Sequence, residues 1–470
     1  MHNRLIDNES GESAEDALPL TQAQLGVWLS QQTGHTDTDW QLSQFVIIDG
    51  AIEPDLVAQA IREVVREAEP LRATIFEVDG RVFQRAIDHP DIEVPFYDLR
   101  RAQDPVAQAH DLASSIQRTP MSWAGPLFRF ALFATGPDQF LLFICIHHIV
   151  LDGFGFSLLA NRIATVYSAL ARDAPVPAAC FGSLHHLVDY ESEYEASSQY
   201  CDDLTYWKAN LSPANGPDYR WTQSRDGRDS CSASVPIRLD PCIIGRVGGL
   251  ARTLGVRRTS VLAAACALLV RNWCRGGSEV VLDFPVSRRT SAQSKTLPAM
   301  VAGVVPLVLR ASPGSTVADF CEHVDARIRE VLRHQRFPVH VLQHSGELRV
   351  AQRAVGRVSV NFLPSTSIRA FDGAGASAQY TTLGHVDHFG LFFVRDGEQI
   401  FLSTAGAGQP FSDFDQSDLA VRLLKMLAAM TADPGRSLSS MNLVDEDELR
   451  DLAQWGNRAA LTRTNSAEAV

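Results

Sequence analysis

His147, His148 and Asp152 fall within one nine-residue stretch, IHHIVLDGF (residues 146–154), and their types and spacing suit proton chemistry. Histidine is the side chain whose ordinary pKa lets a proton move near neutral pH, and a carboxylate four residues after His148 could orient it. A base and its orienter serve acyl transfer, in which the histidine takes a proton from an attacking amine or hydroxyl and no protein nucleophile is needed. Asp152 has a second available role, turning away to fix the loop through an arginine, and the spacing does not choose between the two. Gly153 would permit close approach of a substrate. Against these stands the plainer reading, that paired histidines at a strand end are polar loop residues. Histidine and aspartate also ligate metals, but no third or fourth ligand accompanies them, so no metal is expected.

The flanking segments must position these residues. LFRFALFATGPDQFLLFICIHH reads as two apolar strands joined at Thr135-Gly136-Pro137-Asp138, a turn-forming quartet. Gly153 to Arg172 carries Phe156, Leu159, Ile163, Val166, Tyr167 and Leu170 at helical spacing, so the histidines lie on a strand-to-helix connection. Upstream, Thr21 is placed to cap a helix bearing Leu25, Trp28 and Leu29. PDLVAQAIREVVREAEP predicts a helix opened by Pro54 and ended by Pro70, with Leu56, Ala60, Ile61, Val64 and Val65 on its apolar face. Downstream, TSVLAAACALLVRNW predicts a buried helix capped by Thr259 or Ser260. EVVLDFPV, VVPLVLR, RVSVNFL and HFGLFFV predict strands, and DFDQSDLAVRLLKMLAAM a final helix. No short tandem period is present, which argues against a solenoid.

Length and charge bound the class. At 470 residues and 45% hydrophobic content the chain exceeds what one core normally accommodates, so two mixed α/β lobes are expected. Their junction falls in DAPVPAAC (173–180), which has two prolines and no periodicity, placing the first lobe at 18–178 and the second at 179–452. Residues 1–17 are polar and acidic and predict a flexible tail. The formal charge, 42 − 55 = −13, argues against a nucleic-acid surface, though a local basic docking patch is compatible with it. No stretch reaches about 18 apolar residues, and the acidic start lacks the apolar core of a signal peptide, so a cytoplasmic protein without membrane contact is expected. Eight cysteines are scattered without a C-x-x-C pair, which predicts reduced, mostly buried thiols. His185-His186 has the wrong spacing to repeat the main motif and predicts a surface or capping role. His385-Val386-Asp387-His388 lacks a partner cluster and predicts structural use.

His147 to Gly153, HHIVLDG, resembles the HHxxxDG signature of non-ribosomal peptide synthetase condensation domains, within the chloramphenicol-acetyltransferase-like superfamily. Other family landmarks follow in order between about residues 18 and 455. LTQAQLGVWL (20–29) resembles the first motif and Glu69-Pro70-Leu71-Arg72 the middle of the second. VDYESEY (188–194) resembles the fourth, MVAGVVPLVLR the fifth, His334-Gln335-Arg336-Phe337-Pro338 the sixth and RVSVNFLP the seventh. Two departures stand out. Glu67-Ala68 replaces the Arg-His pair that commonly opens the second motif, and the fifth carries Gly303 and Val305-Pro306 in place of its usual asparagine and polar continuation. That fifth motif looks more like those of domains taking acyl starters or siderophore precursors.

The resemblance implies an α/β fold of two acetyltransferase-like lobes in a V-shaped pseudo-dimer, with a central tunnel reached by carrier proteins from opposite faces. Donor acyl and acceptor aminoacyl groups would arrive as thioesters on phosphopantetheine arms, and the acceptor amine would attack the donor carbonyl to form an amide. The domain itself would need no cofactor. The motif's second histidine, His148, would orient the amine or take its proton. By the same resemblance His147 is structural, Asp152 pairs with Arg289 of PVSRR, and the Gly153 N–H stabilises the developing oxyanion. Arg72 is expected to be a buried structural hydrogen bonder, with Asn361 and Gly303 lining the tunnel. LVDEDELRDLAQWGNRAAL (443–461) resembles the linker towards an adenylation domain, with 453–470 as its start, and the acidic N-terminus implies a donor carrier supplied in trans. The alternatives are an epimerisation domain, a stand-alone acyltransferase acting on a free amine or alcohol, and an inactive recruitment domain.

Overall fold

The computed structural model describes residues 17–32, 37–88, 90–211, 234–273, 278–344, 357–363, 365–383, 386, 389–406 and 416–441. The acidic tail up to residue 16, the linker segment from 443, Cys231, Cys274 and the residues His385, Asp387 and His388 lie outside them.

Strand β1 (Leu18–Pro19) leads into helix α1 (Gln22–Gln32), then β2 (Gln41–Asp49), α2 (Pro54–Glu67), β3 (Ala73–Val78) and β4 (Arg81–Ala86). After β5 (Phe96–Asp98) and α3 (Pro105–Gln117), β6 (Phe128–Gly136) and β7 (Gln139–His147) form the expected antiparallel pair. Helix α4 (Gly153–Ala171) follows the histidine turn, and α5 (Leu184–Glu195) and α6 (Ser198–Asn210) lead to the second half. There β8 (Ile237–Arg238), α7 (Pro241–Leu254), α8 (Arg258–Trp273), β9 (Glu279–Val286), β10 (Gly303–Arg310), α9 (Val317–Arg333) and α10 (Val339–His344) follow in turn. The described chain closes with β11 (Val358–Leu363), β12 (Ser367–Phe371), β13 (Ala374–Thr382), β14 (Phe389–Asp396), β15 (Gln399–Ala405) and α11 (Gln416–Ala432).

Two six-stranded sheets form, β12-β13-β2-β7-β6-β5 centred on the first half and β10-β9-β11-β14-β15-β8 in the second. β6 and β7 are buried along nearly their whole length, which is why their sequences are unbroken apolar runs rather than alternating ones. Helix α8 is apolar on nearly every side because its residues from Ser260 to Val270 are all buried in the second core. No single described helix is long and apolar enough to cross a membrane.

The structure corrects several expectations. The division at 178/179 does not hold for β12 and β13: β13 pairs antiparallel with β2, adding two strands from the second half to the first sheet. Thr382 seals that junction, accepting from Ser43 N at 2.8 Å and donating to the Gln41 carbonyl at 3.0 Å. Thr21 does cap α1, but the buried face of that helix is Gln24 and Val27, while Leu29 is exposed. Gln24 is buried because its amide pairs reciprocally with that of Gln84 (2.7 and 2.8 Å). Neither Thr259 nor Ser260 caps α8, which begins at Arg258; instead Asp325 of α9 accepts from Arg257 N at 3.2 Å and from the Ser260 hydroxyl at 2.6 Å. Of the six described free cysteines, Cys180, Cys201 and Cys242 are exposed, so the thiols are not mostly buried.

The halves are clamped at the end of the histidine turn. Asp152 caps α4, its Oδ1 accepting from Gly155 N at 2.9 Å. Its Oδ2 accepts from Arg289 Nη1 at 2.6 Å, Ala302 N at 2.9 Å and Val301 N at 3.1 Å, all in the second half. Arg289 in turn donates to the Leu297 and Ala299 carbonyls, both at 3.0 Å. Both ionic side chains are essentially inaccessible. Removing one partner of such a pair strands the other charge in the interior. Asp152→Ala is therefore expected to lose about 3 to 5 kcal/mol of stability. Thermal denaturation checks this, and an unchanged melting temperature contradicts the clamp.

Candidate active site

The turn is short because β7 ends at His147 and α4 starts at Gly153, and its backbone is held from three sides. His147 N donates to Leu127 O at 2.9 Å, His148 N to Trp40 O at 2.7 Å and Asp152 N to Ala299 O at 3.3 Å. Gly155 answers a steric need, since a Cβ there would lie 2.6 Å from Leu151 Cδ1. A Cβ at Gly153 would meet nothing within 4 Å, and Gly153 borders the open cavity described below.

The two histidines face different surroundings. His147 is buried; its Nδ1 accepts from Ile149 N at 3.2 Å, which leaves Nε2 to donate to Gln31 Oε1 at 3.1 Å. Its ring lies 4.8 Å from Trp123, which lies 4.8 Å from Trp28. Burial, with His148 adding to it, holds the His147 pKa down to about 3, so this ring is neutral near pH 7. His148 instead lines the cavity, with its ring edge-on to Trp40 at 6.0 Å. Its Nδ1 is buried without a hydrogen bond of normal geometry, leaving Nε2 as the nitrogen available to a ligand. Burial lowers the His148 pKa, against the opposing pull of the Asp152 charge and of the His148 and Leu151 carbonyls.

With both Asp152 oxygens occupied by the clamp, the carboxylate acts as the loop-fixing group and not as a hydrogen-bonded orienter of His148. This resolves the choice that spacing left open. Arg289 is the partner expected for it.

The cavity has a volume of about 840 Å³, within the range of small-molecule sites, and residues from both halves line it. Trp40, His148 and Phe154 come from the first half, and Pro285, Val304 and Phe392 from the second. Asn361 and Gly303 border it as expected. Arg72 is not among its lining residues; it donates from Nη1 to the Ile87 carbonyl, a packing role. Asp283 and Arg357 form an ion pair of 3.4 Å in the wall. His186 completes a capping box with Ser183 at the start of α5 and His185 is exposed, within the surface or capping role expected for the two.

Both departures from the motif pattern have structural accounts. Glu67 holds Arg162 of α4 through two short hydrogen bonds of 2.6 and 2.7 Å, tying α2 to α4 away from the cavity. Gly303 yields space to Arg288: a Cβ at 303 would lie 2.3 Å from the Arg288 Cζ. Arg288 is a site residue that sequence reasoning missed. Its one sequence signal was adjacency to Arg289, whereas its left-handed backbone, φ 54°, is visible only in three dimensions. Tyr380 and Thr382 were missed for a similar reason, since only the crossing of β13 brings them to the cavity.

Comparison with known proteins agrees with this geometry. The Condensation domain family matches residues 14–453. The chain is 27% identical over 445 residues, 94% of its length, to the dimodular nonribosomal peptide synthase of Bacillus subtilis, of which it covers 19%. It is 26% identical to enterobactin synthase component F of Escherichia coli K12, covering 93% of this chain and 34% of that protein. The chain thus spans only about a fifth to a third of these relatives. Among solved structures, the starter condensation domain of rhizomide synthetase in complex with C8-CoA matches at a TM-score of 0.80 and 26% identity, over 91% of this chain and 98% of that one. The first condensation domain of the calcium-dependent antibiotic synthetase, in complex with a substrate analogue, matches at 0.78 and 25% identity, over 91% of this chain and 100% of that one. With the HHxxxDG turn clamped between two lobes and facing a shared cavity, this chain belongs to the condensation-domain family of non-ribosomal peptide synthetases.

Proposed function

We propose that the chain joins a donor acyl or aminoacyl thioester to the amine of an acceptor aminoacyl thioester, both borne on phosphopantetheine arms of carrier proteins. The observation that carries this reading is the position of His148: a neutral imidazole in the wall of the inter-lobe cavity, with one nitrogen buried and the other left for a ligand. The acceptor amine attacks the donor carbonyl carbon, the carbon–sulfur bond breaks, the thiol leaves and the amine nitrogen gives up a proton. With its proton on Nδ1, His148 keeps the Nε2 lone pair to orient the amine or receive that proton. The Gly153 N–H, in the first turn of α4, is available to the developing oxyanion at the cavity edge. His147 keeps the turn in shape, and Asp152 with Arg289 holds the two lobes in register around it.

Donor and acceptor carriers are the partners this chemistry requires, and the similarity to non-ribosomal peptide synthetases suggests an adenylation domain beside them. A requirement for a carrier-bound acceptor separates this reaction from that of a stand-alone acyltransferase. Formation of an amide, rather than inversion of one carrier-bound residue, separates it from epimerisation.

His148→Ala should fold normally and lose about 10²- to 10⁴-fold in the single-turnover rate of amide formation, the usual range for general acid–base catalysis. Intact-mass analysis of the acceptor carrier reads this, and a near-native rate removes His148 from the mechanism. The pH profile follows from the direction of the His148 shift. Its pKa lies below the ordinary 6.5, so the base form is already present at pH 7. The rate should be level between pH 6.5 and 8 and fall through a single-proton limb below 6.5, so an acid limb centred above 7 contradicts the assignment.

A further inference from the structure

We infer that Arg288 is a specificity-determining residue that receives a carboxylate carried by one of the two substrates within the cavity. The inference rests on the condensation reading above and names a substrate class for it: an acidic acyl or aminoacyl group.

Arg288 is nine-tenths buried, and the cavity is bounded by both Arg288 and Gly303, against whose Cα the guanidinium lies. Its backbone is held in the left-handed region, an uncommon conformation for a residue with a side chain. The surroundings impose it: Arg288 N donates to Gln335 Oε1 at 3.1 Å, and Tyr190 donates its hydroxyl to Arg288 O at 2.7 Å. Nε reaches Gln335 O at 3.2 Å and Nη2 reaches Phe337 O at 3.5 Å. These bonds aim the head group but bring it no negative charge.

The other fixed charges of the cavity wall are compensated. Asp152 is paired with Arg289 and Asp283 with Arg357. Arg288 has no carboxylate within ion-pairing distance among the described residues. The carboxyl that influences it is Glu191, both of whose oxygens accept from Gln22 N at 2.9 Å. Burial pushes the Glu191 pKa up to about 7, so it supplies only part of a charge at neutral pH. A buried guanidinium without a full counter-charge favours an anion of matching planar geometry, and a carboxylate meets that need. The small residue at 303 belongs to the same arrangement, because any side chain there would displace the guanidinium from the wall.

Soluble thioester substrates test this with the two possible sources kept apart. One arm compares aspartyl with asparaginyl acceptors against a fixed neutral donor; the other compares succinyl donors with their amides against a fixed neutral acceptor. In one arm the acid should exceed its amide by about tenfold or more in kcat/KM, equivalent to about 1.4 kcal/mol. Arg288→Gln should bring that ratio close to one, and Arg288→Lys should retain part of it. The ratio is read within each protein, so a general loss of activity cancels. Gly303→Ala, which displaces the guanidinium without removing its charge, should lower the ratio as well and serves if the Arg288 variants do not fold. A ratio near one in both arms for the native protein, or one that Arg288→Gln and Gly303→Ala leave unmoved, overturns the inference. Calorimetric binding of the same acid and amide probes gives the ratio without turnover. Absence of product with every pair would therefore defeat the condensation reading, while the binding ratio still decides the role of Arg288.

Discussion

The Asp152–Arg289 pair is the interaction on which the rest of the arrangement depends. An ion pair out of contact with water carries a desolvation cost that its Coulomb attraction alone does not reliably offset. Here further hydrogen bonds support the pair, although Arg289 Nε is buried without a partner. Asp152 takes four donors, two of them the backbone N–H groups of Val301 and Ala302, and Arg289 gives two protons to carbonyls of the same loop. The carboxylate thus joins the start of α4 to the segment that leads into β10. Because His148 lies four residues before Asp152 on a turn already bonded to Trp40 and Leu127, fixing Asp152 also fixes the ring at the cavity edge.

A cavity shared by two lobes needs them to keep their spacing, and a second device supplies it. β12 and β13 leave the second half and become part of the first sheet, so separating the lobes would break a strand ladder as well as a salt bridge. A register shift between Tyr380 and Thr382 marks where β13 reaches the cavity, in keeping with the frequency of bulges beside functional sites. The same crossing brings Tyr380 and Thr382 to a wall that β2, β9, β10, β11 and the histidine turn also help to form.

Within this frame the departures from the family pattern divide by location. Glu67 serves a helix–helix contact with Arg162 and does not border the cavity. Gly303 is coupled sterically to Arg288, whose long cationic side chain occupies the room that a side chain at 303 would need. The first alters how the fold is held, whereas the second alters what the cavity wall presents to a substrate.

The sequence by itself determined the local elements and the reactive turn. The apolar runs of β6 and β7, the periodicity of α2 and α4 and the turn quartet at Thr135–Asp138 are near-neighbour patterns, and the HHxxxDG spacing is equally local, so each was legible along the chain. What tertiary structure decided were relations between distant residues. Whether Asp152 faced His148 or an arginine depended on a residue 137 positions away. The burial of Gln24 depended on Gln84, the cap of α8 on Asp325, and the lobe boundary on strands that cross back after nearly two hundred residues. Arg288 shows the limit most plainly, because its meaning lies in a backbone angle and in the missing Cβ of Gly303 beside it. Spacing and composition report what a residue can do, but charge compensation and steric exclusion are properties of the neighbours that folding brings together.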